Sequence, residues 1–320
     1  MNNEVQVYAV KHKKLETRMA SRSGGIFTAI SDSLLSQNGV IYGCVLNESF
    51  EAVHVRAENA EERDRMRGSK YVQSNLGDTF RQVQNDLKDN RLVLFSGTSC
   101  QVDGLHSFLG KKYDNLFCVD IVCHGVPSPL VWKKYLEWQQ KRNGTCVAVD
   151  FRNKRDFGWA AHIESLTMEQ KNGETVQIDS SVFTKIFYEH SVLRPSCYHC
   201  PYKDITHPGD ITIADYWGID EAAPGFNDNK GVSLVLINNE KGAAMFEKIK
   251  GDLTWQQTKI EDSLQPPLVK PFEQPDSRAE FWQDFQRYPF EKMAKKYGGW
   301  GMANKVKKKL VRIKKKLFKH

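Results

Sequence analysis

Two short apolar runs constrain the fold of this chain more than any other feature. "RLVLFSG" (91–97) and "LFCVDIVC" (116–123) are too short for helices and are bounded by polar residues, so they read as buried strands. Each breaks into a loop and then into helical periodicity, "QVDGLHSFLG" after the first and "LVWKKYLEWQQKRNG" after the second. Pro127 and Pro129 suit a loop and a helix start. Strand, loop and helix in succession predict an α/β (mixed α+β) fold with a partly parallel central sheet. "GVIYGCVL" adds a strand, and "SGGIFTAISDSLL" and "TFRQVQNDLKD" add helices. Downstream the pattern changes. "CVAVDFRNK" and "HIESLTMEQKNGETVQID" read as antiparallel strands, with Asn172-Gly173 at a hairpin turn. "VFTKIFYEH" and "KGAAMFEKIKG" predict helices, "DITIADYWGI" and "GVSLVLIN" strands, and "LQPPLVKPFEQPDS" a linker to a helical C-terminus. The expected organisation is an α/β domain over 1–145, a β-rich domain over 146–260 and a linker with a basic helical tail over 261–320.

The chain has 320 residues and a formal charge of +7, but nine Lys/Arg and no acids fall between Lys305 and Lys319. Without them acids slightly outnumber bases, so no nucleic-acid partner is expected for the body. Val306, Leu310, Ile313 and Leu317 place one apolar stripe along a basic helix. Such helices lie on anionic membrane surfaces, which predicts an anionic-membrane partner for residues 305–319. No apolar run reaches the roughly 18 residues of a spanning helix, and the start lacks the apolar core of a secretory signal. The expected location is the cytoplasm, peripheral on the inner face of the membrane through the tail.

In that compartment the seven cysteines stay reduced unless they bind something. Cys44, Cys118 and Cys146 lie in apolar, strand-like runs and read as small buried hydrophobes. Cys100 ("GTSCQ"), Cys123 ("VCHGVPSP") and the pair Cys197 and Cys200 ("RPSCYHCPYK") follow or lie in loops. Two of these loops fall where parallel strands end, the usual ligand site of an α/β sheet. Four such thiols suit a tetrahedral sulfur site, and spacing alone leaves zinc and an iron–sulfur cluster equally open, with a redox dithiol behind.

"SGGIFTAI", "KYVQSN", "GTSCQVDGL", "DIVCHGVPSP", "FRNKRDFGW", "RPSCYHCPY", "GDITIADYWGI" and "GVSLVLIN" occur in this order from about Ser21 to about Asn238. Together they resemble the coenzyme F420 hydrogenase/dehydrogenase beta-subunit family. The resemblance implies an iron–sulfur flavoprotein oxidoreductase that passes electrons between a [4Fe-4S] cluster and FAD. The final acceptor would be coenzyme F420, a deazaflavin, or another organic compound; some relatives belong to polysaccharide biosynthesis. It implies that Cys100, Cys123, Cys197 and Cys200 ligate the cluster. Ser99 stands where the family usually has proline. No cysteine precedes Cys44, so the ferredoxin-like segment of many relatives is absent, and a separate donor such as a ferredoxin is expected.

The resemblance also gives the flavin candidates. Ser23, Gly24 and Gly25 open a helix whose N-terminus favours a pyrophosphate; the alternative is a structural Gly-Gly entry. Lys70, Tyr71, Gln73 and Ser74 in "SKYVQSN" could reach a phosphate or the flavin ring, and a Lys70 cation would stabilise reduced flavin. Gly97 and Thr98 would join the flavin to Cys100. His124 is a candidate proton donor beside a ligand. Arg152, Lys154 and Trp159 could bind an anionic or aromatic substrate, or pack a strand end. Asp215 reads as part of a structural turn. The competing class is a zinc-stapled, non-enzymatic binding module recruited to a membrane by its tail.

Overall fold

The computed structural model describes residues 5–301. In chain order the strands are β1 (Gln6–His12), β2 (Val40–Leu46), β3 (Ala52–Ala57), β4 (Val93–Thr98), β5 (Leu116–Ile121), β6 (Thr145–Asp150), β7 (Glu164–Glu169), β8 (Thr175–Ser180), β9 (Ile211–Asp215), β10 (Ser233–Ile237) and β11 (Leu253–Thr258). The chain forms two compact units that alternate along the sequence. The first takes the chain up to Val126, then Arg152–Ala161 and Pro195–Phe272. The second takes Pro127–Phe151, His162–Arg194 and the described residues from Glu273 to Gly301.

The first unit holds an eight-stranded sheet in the order β11-β1-β10-β9-β5-β4-β2-β3. Its middle, β9-β5-β4-β2, is parallel, as the strand–loop–helix succession predicts; the flanking pairs are antiparallel. Alternate side chains of these strands go to opposite faces. Leu94, Phe117, Val119, Val235 and Ile237 pack with Ile26, Ile30 and Leu34 of the helix Ile26–Leu35 and with Phe246 of the helix Glu240–Ile249. On the opposite side Val93, Phe95, Leu116 and Cys118 pack with Val83 and Leu87 of the helix Thr79–Lys88 and with Val102, Leu105 and Leu109 of the helix Ser99–Leu109. A sheet covered on both faces needs strands that are apolar throughout, which is why β4 and β5 read as continuous runs.

The second unit holds the antiparallel sheet β6-β7-β8. The hairpin turn falls where Asn172-Gly173 predicts it: Gly173 adopts φ 80° and its N–H donates to the Gln170 carbonyl at 2.9 Å. Its core is aromatic. Trp132 lies against Phe151 and Phe183, with ring centroids 4.7 and 4.9 Å apart, and Tyr135 against Phe183 and Phe290.

The helix Pro129–Asn143, which follows β5, belongs to the second unit. The units alternate along the chain, whereas the boundaries expected from the sequence, after 145 and 260, are consecutive. Hydrophobic periodicity gives an element's type; it carries no mark of which core the element joins. Among the described residues no helix is long and apolar enough to cross a membrane. The tail, residues 305–319, lies outside the described residues.

Candidate functional site

The four loop cysteines all fall in the first unit. Cys100 lies in the first turn of the helix after β4, Cys123 lies two residues beyond β5, Cys197 sits in the 3-10 turn Pro195–His199, and Cys200 follows it. Their thiols form one electrostatic neighbourhood. Burial pushes the Cys123 thiol up to about 12, and Cys197 and Cys100 add to the rise. Burial also raises Cys197, which Cys200 and Cys100 push the same way. The backbone N–H of Gly125 donates to the Cys123 thiol and that of Val126 to the Cys197 thiol. Gly125 has φ 134°, a conformation that a side chain would strain, and this lets the loop present both N–H groups. Thr98 Oγ1 lies 3.2 Å from Cys100 Sγ. Tyr202 donates to Asp103 Oδ2 at 2.7 Å and so ties the CxxC segment to the helix of Cys100. Lys203 is buried, and its Nζ donates to the Cys123 carbonyl. Among the described residues no three or more His, Cys, Asp or Glu side chains converge as a ready-made metal site.

A buried polar network that the sequence reading missed braces this region. His207 Nδ1 lies 3.1 Å from Asp120 Oδ2 and 3.1 Å from Ser99 Oγ, and its Nε2 is 3.0 Å from the Asp204 carbonyl. Asp120 is fully buried in β5 and also accepts from Thr212 Oγ1 at 2.5 Å. Gly209 passes so close that a Cβ would stand 3.0 Å from the Asp120 backbone nitrogen. Ser99, at the position where the resemblance leads one to expect proline, supplies the hydroxyl that meets His207. The one readable signal was a lone acid inside the apolar run "LFCVDIVC".

The flavin candidates separate into two groups. Gln101 gathers the first. Its Nε2 donates to Ser74 Oγ at 2.8 Å, its Oε1 accepts from the Thr98 N–H at 3.0 Å, and a Cβ on Gly97 would meet Oε1 at 3.0 Å. Ser74 also hydrogen-bonds the Cys44 thiol, which burial raises and the Lys70 charge lowers. Cys44 faces His54 across the β2–β3 pair. Lys70 Nζ donates to the carbonyls of Arg65 and Arg67, each at 2.9 Å, and burial lowers its pKa to about 8. A chain of polar contacts thus runs from Cys44 through Ser74, Gln101 and Thr98 to Cys100. Cys118 and Cys146 are buried, as expected, whereas Cys44 is half-buried beside this polar group.

Ser23, Gly24 and Gly25 form the second group. Ser23 Oγ donates to the Val232 carbonyl at 2.6 Å, and the Gly24 N–H donates to Ser233 Oγ at 2.9 Å. A Cβ on Gly24 would stand 2.1 Å from the Val10 carbonyl oxygen, so glycine is required there by packing against β1 and β10. Gly25, at φ 95°, is the N-cap of the helix Ile26–Leu35.

Tyr71 accepts from Arg152 Nη1 at 3.2 Å, and the Arg152 guanidinium lies 5.6 Å over the Trp217 ring. Trp159 stacks on Trp217 at 4.9 Å and donates from Nε1 to Asp215 Oδ1 at 2.7 Å. Lys154 Nζ spends its three N–H donors on the carbonyls of Arg18, Ser23 and Lys230. The His124 ring packs on Phe272, centroids 4.1 Å apart.

Residues 90–263, rather more than half of the chain, match the family described as the C terminus of the beta subunit of coenzyme F420 hydrogenase/dehydrogenase. The chain belongs to this family. Membership groups it with oxidoreductase-related proteins of a coenzyme F420-related family. Cys100, Cys123, Cys197, Cys200 and the His207 network all fall within the matched span. The fold is also similar to a chain in a structure of the F420-reducing [NiFe] hydrogenase complex from Methanosarcina barkeri, with a TM-score of 0.51 and 15% identity. That likeness covers 78% of this chain and 81% of the other. No curated protein matches.

Proposed function

We propose that this chain is an iron–sulfur flavoprotein oxidoreductase, with Cys100, Cys123, Cys197 and Cys200 holding a [4Fe-4S] centre beside an FAD. One observation carries the reading: the four loop thiols share one neighbourhood, three of them face Lys203, and backbone N–H groups of Gly125 and Val126 are directed at two of them. Thiolate donors and N–H···S hydrogen bonds are the donor set that an iron–sulfur centre uses. The match to an F420 hydrogenase/dehydrogenase family supports redox chemistry over a structural staple.

The FAD proposal rests on Lys70, Tyr71, Gln73, Ser74, Gly97 and Thr98 rather than on Ser23, Gly24 and Gly25, since Ser23 and Gly24 already hydrogen-bond Val232 and Ser233. Among the described residues the buried Nδ1 of His54 has no hydrogen-bond partner, which fits a further group in the polar region it shares with Cys44 and Lys70. When bound, an iron–sulfur centre supplies single-electron transfer and a flavin supplies hydride transfer. The protein's own residues do the rest. Lys70 supplies positive charge that favours reduced flavin, Gln101 keeps Ser74 and Thr98 in place, and Gly97 lets a ring approach the backbone. The proposed donor is a separate ferredoxin. The proposed acceptor is a deazaflavin of the coenzyme F420 type or an intermediate of polysaccharide biosynthesis. Anaerobic stopped-flow mixing with reduced ferredoxin tests the order of transfer. Wild type is expected to bleach its flavin absorbance, and Cys197→Ser to retain FAD but bleach at least a hundredfold more slowly. Equal rates would refute the order.

A further inference from the structure

Lys203 is only 5% exposed, and its sole protein hydrogen bond among the described residues is to the Cys123 carbonyl. Its Nζ lies 5.3 Å from the centre of the Phe272 ring. No carboxylate pairs with it among the described residues; the charges that face it are Cys123, Cys200 and Cys197. The contrast with Lys154 is informative. That ammonium is as deeply buried, but three carbonyls use its three donors. Lys203 has one acceptor for three donors. A buried cation left without an anion is costly, and proteins rarely tolerate one. Neutral thiols do not offset that cost. Metal-bound thiolates do, because metal ligation requires the deprotonated sulfur.

We propose that Lys203 is the charge partner of the sulfur centre and sets its reduction potential, an inference that rests on the iron–sulfur reading above. Its ammonium approaches from the Cys123 side, held by the Cys123 carbonyl and the Phe272 face. A fixed positive charge there favours whichever state of the centre carries the extra electron. Lys203 touches no reacting atom in this account, so it is a positioning residue whose effect is on potential.

The test uses the full chain, purified anaerobically, as wild type, Lys203→Met, Lys203→Gln and Lys203→Arg. Iron content is measured first, and the potential is then read by dye-mediated titration with dithionite. The two neutral variants are expected to become harder to reduce by at least tenfold in the one-electron equilibrium, about 59 mV. Arg, which keeps the charge, is expected to shift less than either. Loss of iron in both neutral variants with retention in Arg is the same charge requirement seen at assembly. Unchanged potentials in iron-loaded Met and Gln variants would overturn the role of Lys203 and leave the sulfur centre standing. So would equal shifts in all three variants, which would point to packing. A wild-type protein without iron would overturn the iron–sulfur reading itself.

Discussion

His54 gives the clearest pH response of any single residue. Burial pushes its imidazole down to about 4, the Lys70 charge acts the same way, and the Ser96 carbonyl, 3.1 Å from Nε2, opposes them. The unfolded chain accepts that proton near pH 6.5, while the folded chain resists it until about 4. Between these values the unfolded state binds more protons, so stability is full above about 6.5 and falls as the pH drops. The loss from this group is about 3 kcal/mol once the pH reaches 4. His54→Phe keeps an aromatic ring stacked on Phe95 and has no proton to take up. Urea unfolding at pH 7 and pH 4.5 is expected to show a smaller acid loss in that variant than in wild type; parallel losses would contradict the assignment.

At the scale of elements, three loops carry the four thiols, and the His207 network joins their supports. It links the first turn of the helix Ser99–Leu109, strand β5 and the segment after Cys200. His207→Ala leaves the Asp120 carboxylate and the Ser99 hydroxyl without a common partner in a dry interior. The expected cost is about 1–3 kcal/mol, measured by chemical denaturation, together with reduced iron retention. Unchanged stability would show that the network is not a brace.

The same scale explains what was legible in the sequence. β2, β4, β5, β9 and β10 were readable because most of their residues are apolar and buried, with few polar interruptions such as Asp120. β3 and β11 were not. They are the two edges of the large sheet, and "AVHVRA" and "LTWQQT" mix polar residues with apolar ones because one side meets solvent. β1, "QVYAVKH", is an apolar run of only four residues flanked by polar ones, too short a signal to stand out. The cysteine split into loop and strand members was legible from flanking residues alone. Cys44 deceived that reading, because its neighbours along β2 are apolar while its neighbours in space, Ser74, His54 and Lys70, come from distant sequence. Lys203 and His207 gave no local signal, since each matters only through groups that folding brings to it.

At the scale of the whole molecule, the chain returns to the first unit twice, each time with part of the site. Arg152–Ala161 brings the partner of Tyr71, and Pro195–Phe272 brings Cys197, Cys200 and His207. These two returns are what a reading of consecutive segments cannot recover. For residues 305–319, which lie outside the described residues, we propose association with anionic membrane. Nine cations near such a surface contribute on the order of 1 kcal/mol each at most, and salt screens them. Full-length protein is expected to sediment with anionic vesicles at low salt, to be released at about 0.5 M NaCl given that screening, and to stay in solution when truncated after Asn304. Equal sedimentation with neutral vesicles would refute the electrostatic account.

The central claim is that four named thiols hold one iron–sulfur centre. Iron and acid-labile sulfide per chain, determined on anaerobically purified protein, test it most directly. The account predicts about four of each in wild type and in Cys118→Ala. It predicts near-complete loss in each single serine variant of Cys100, Cys123, Cys197 and Cys200. A colourless wild-type protein carrying one zinc per chain would contradict it.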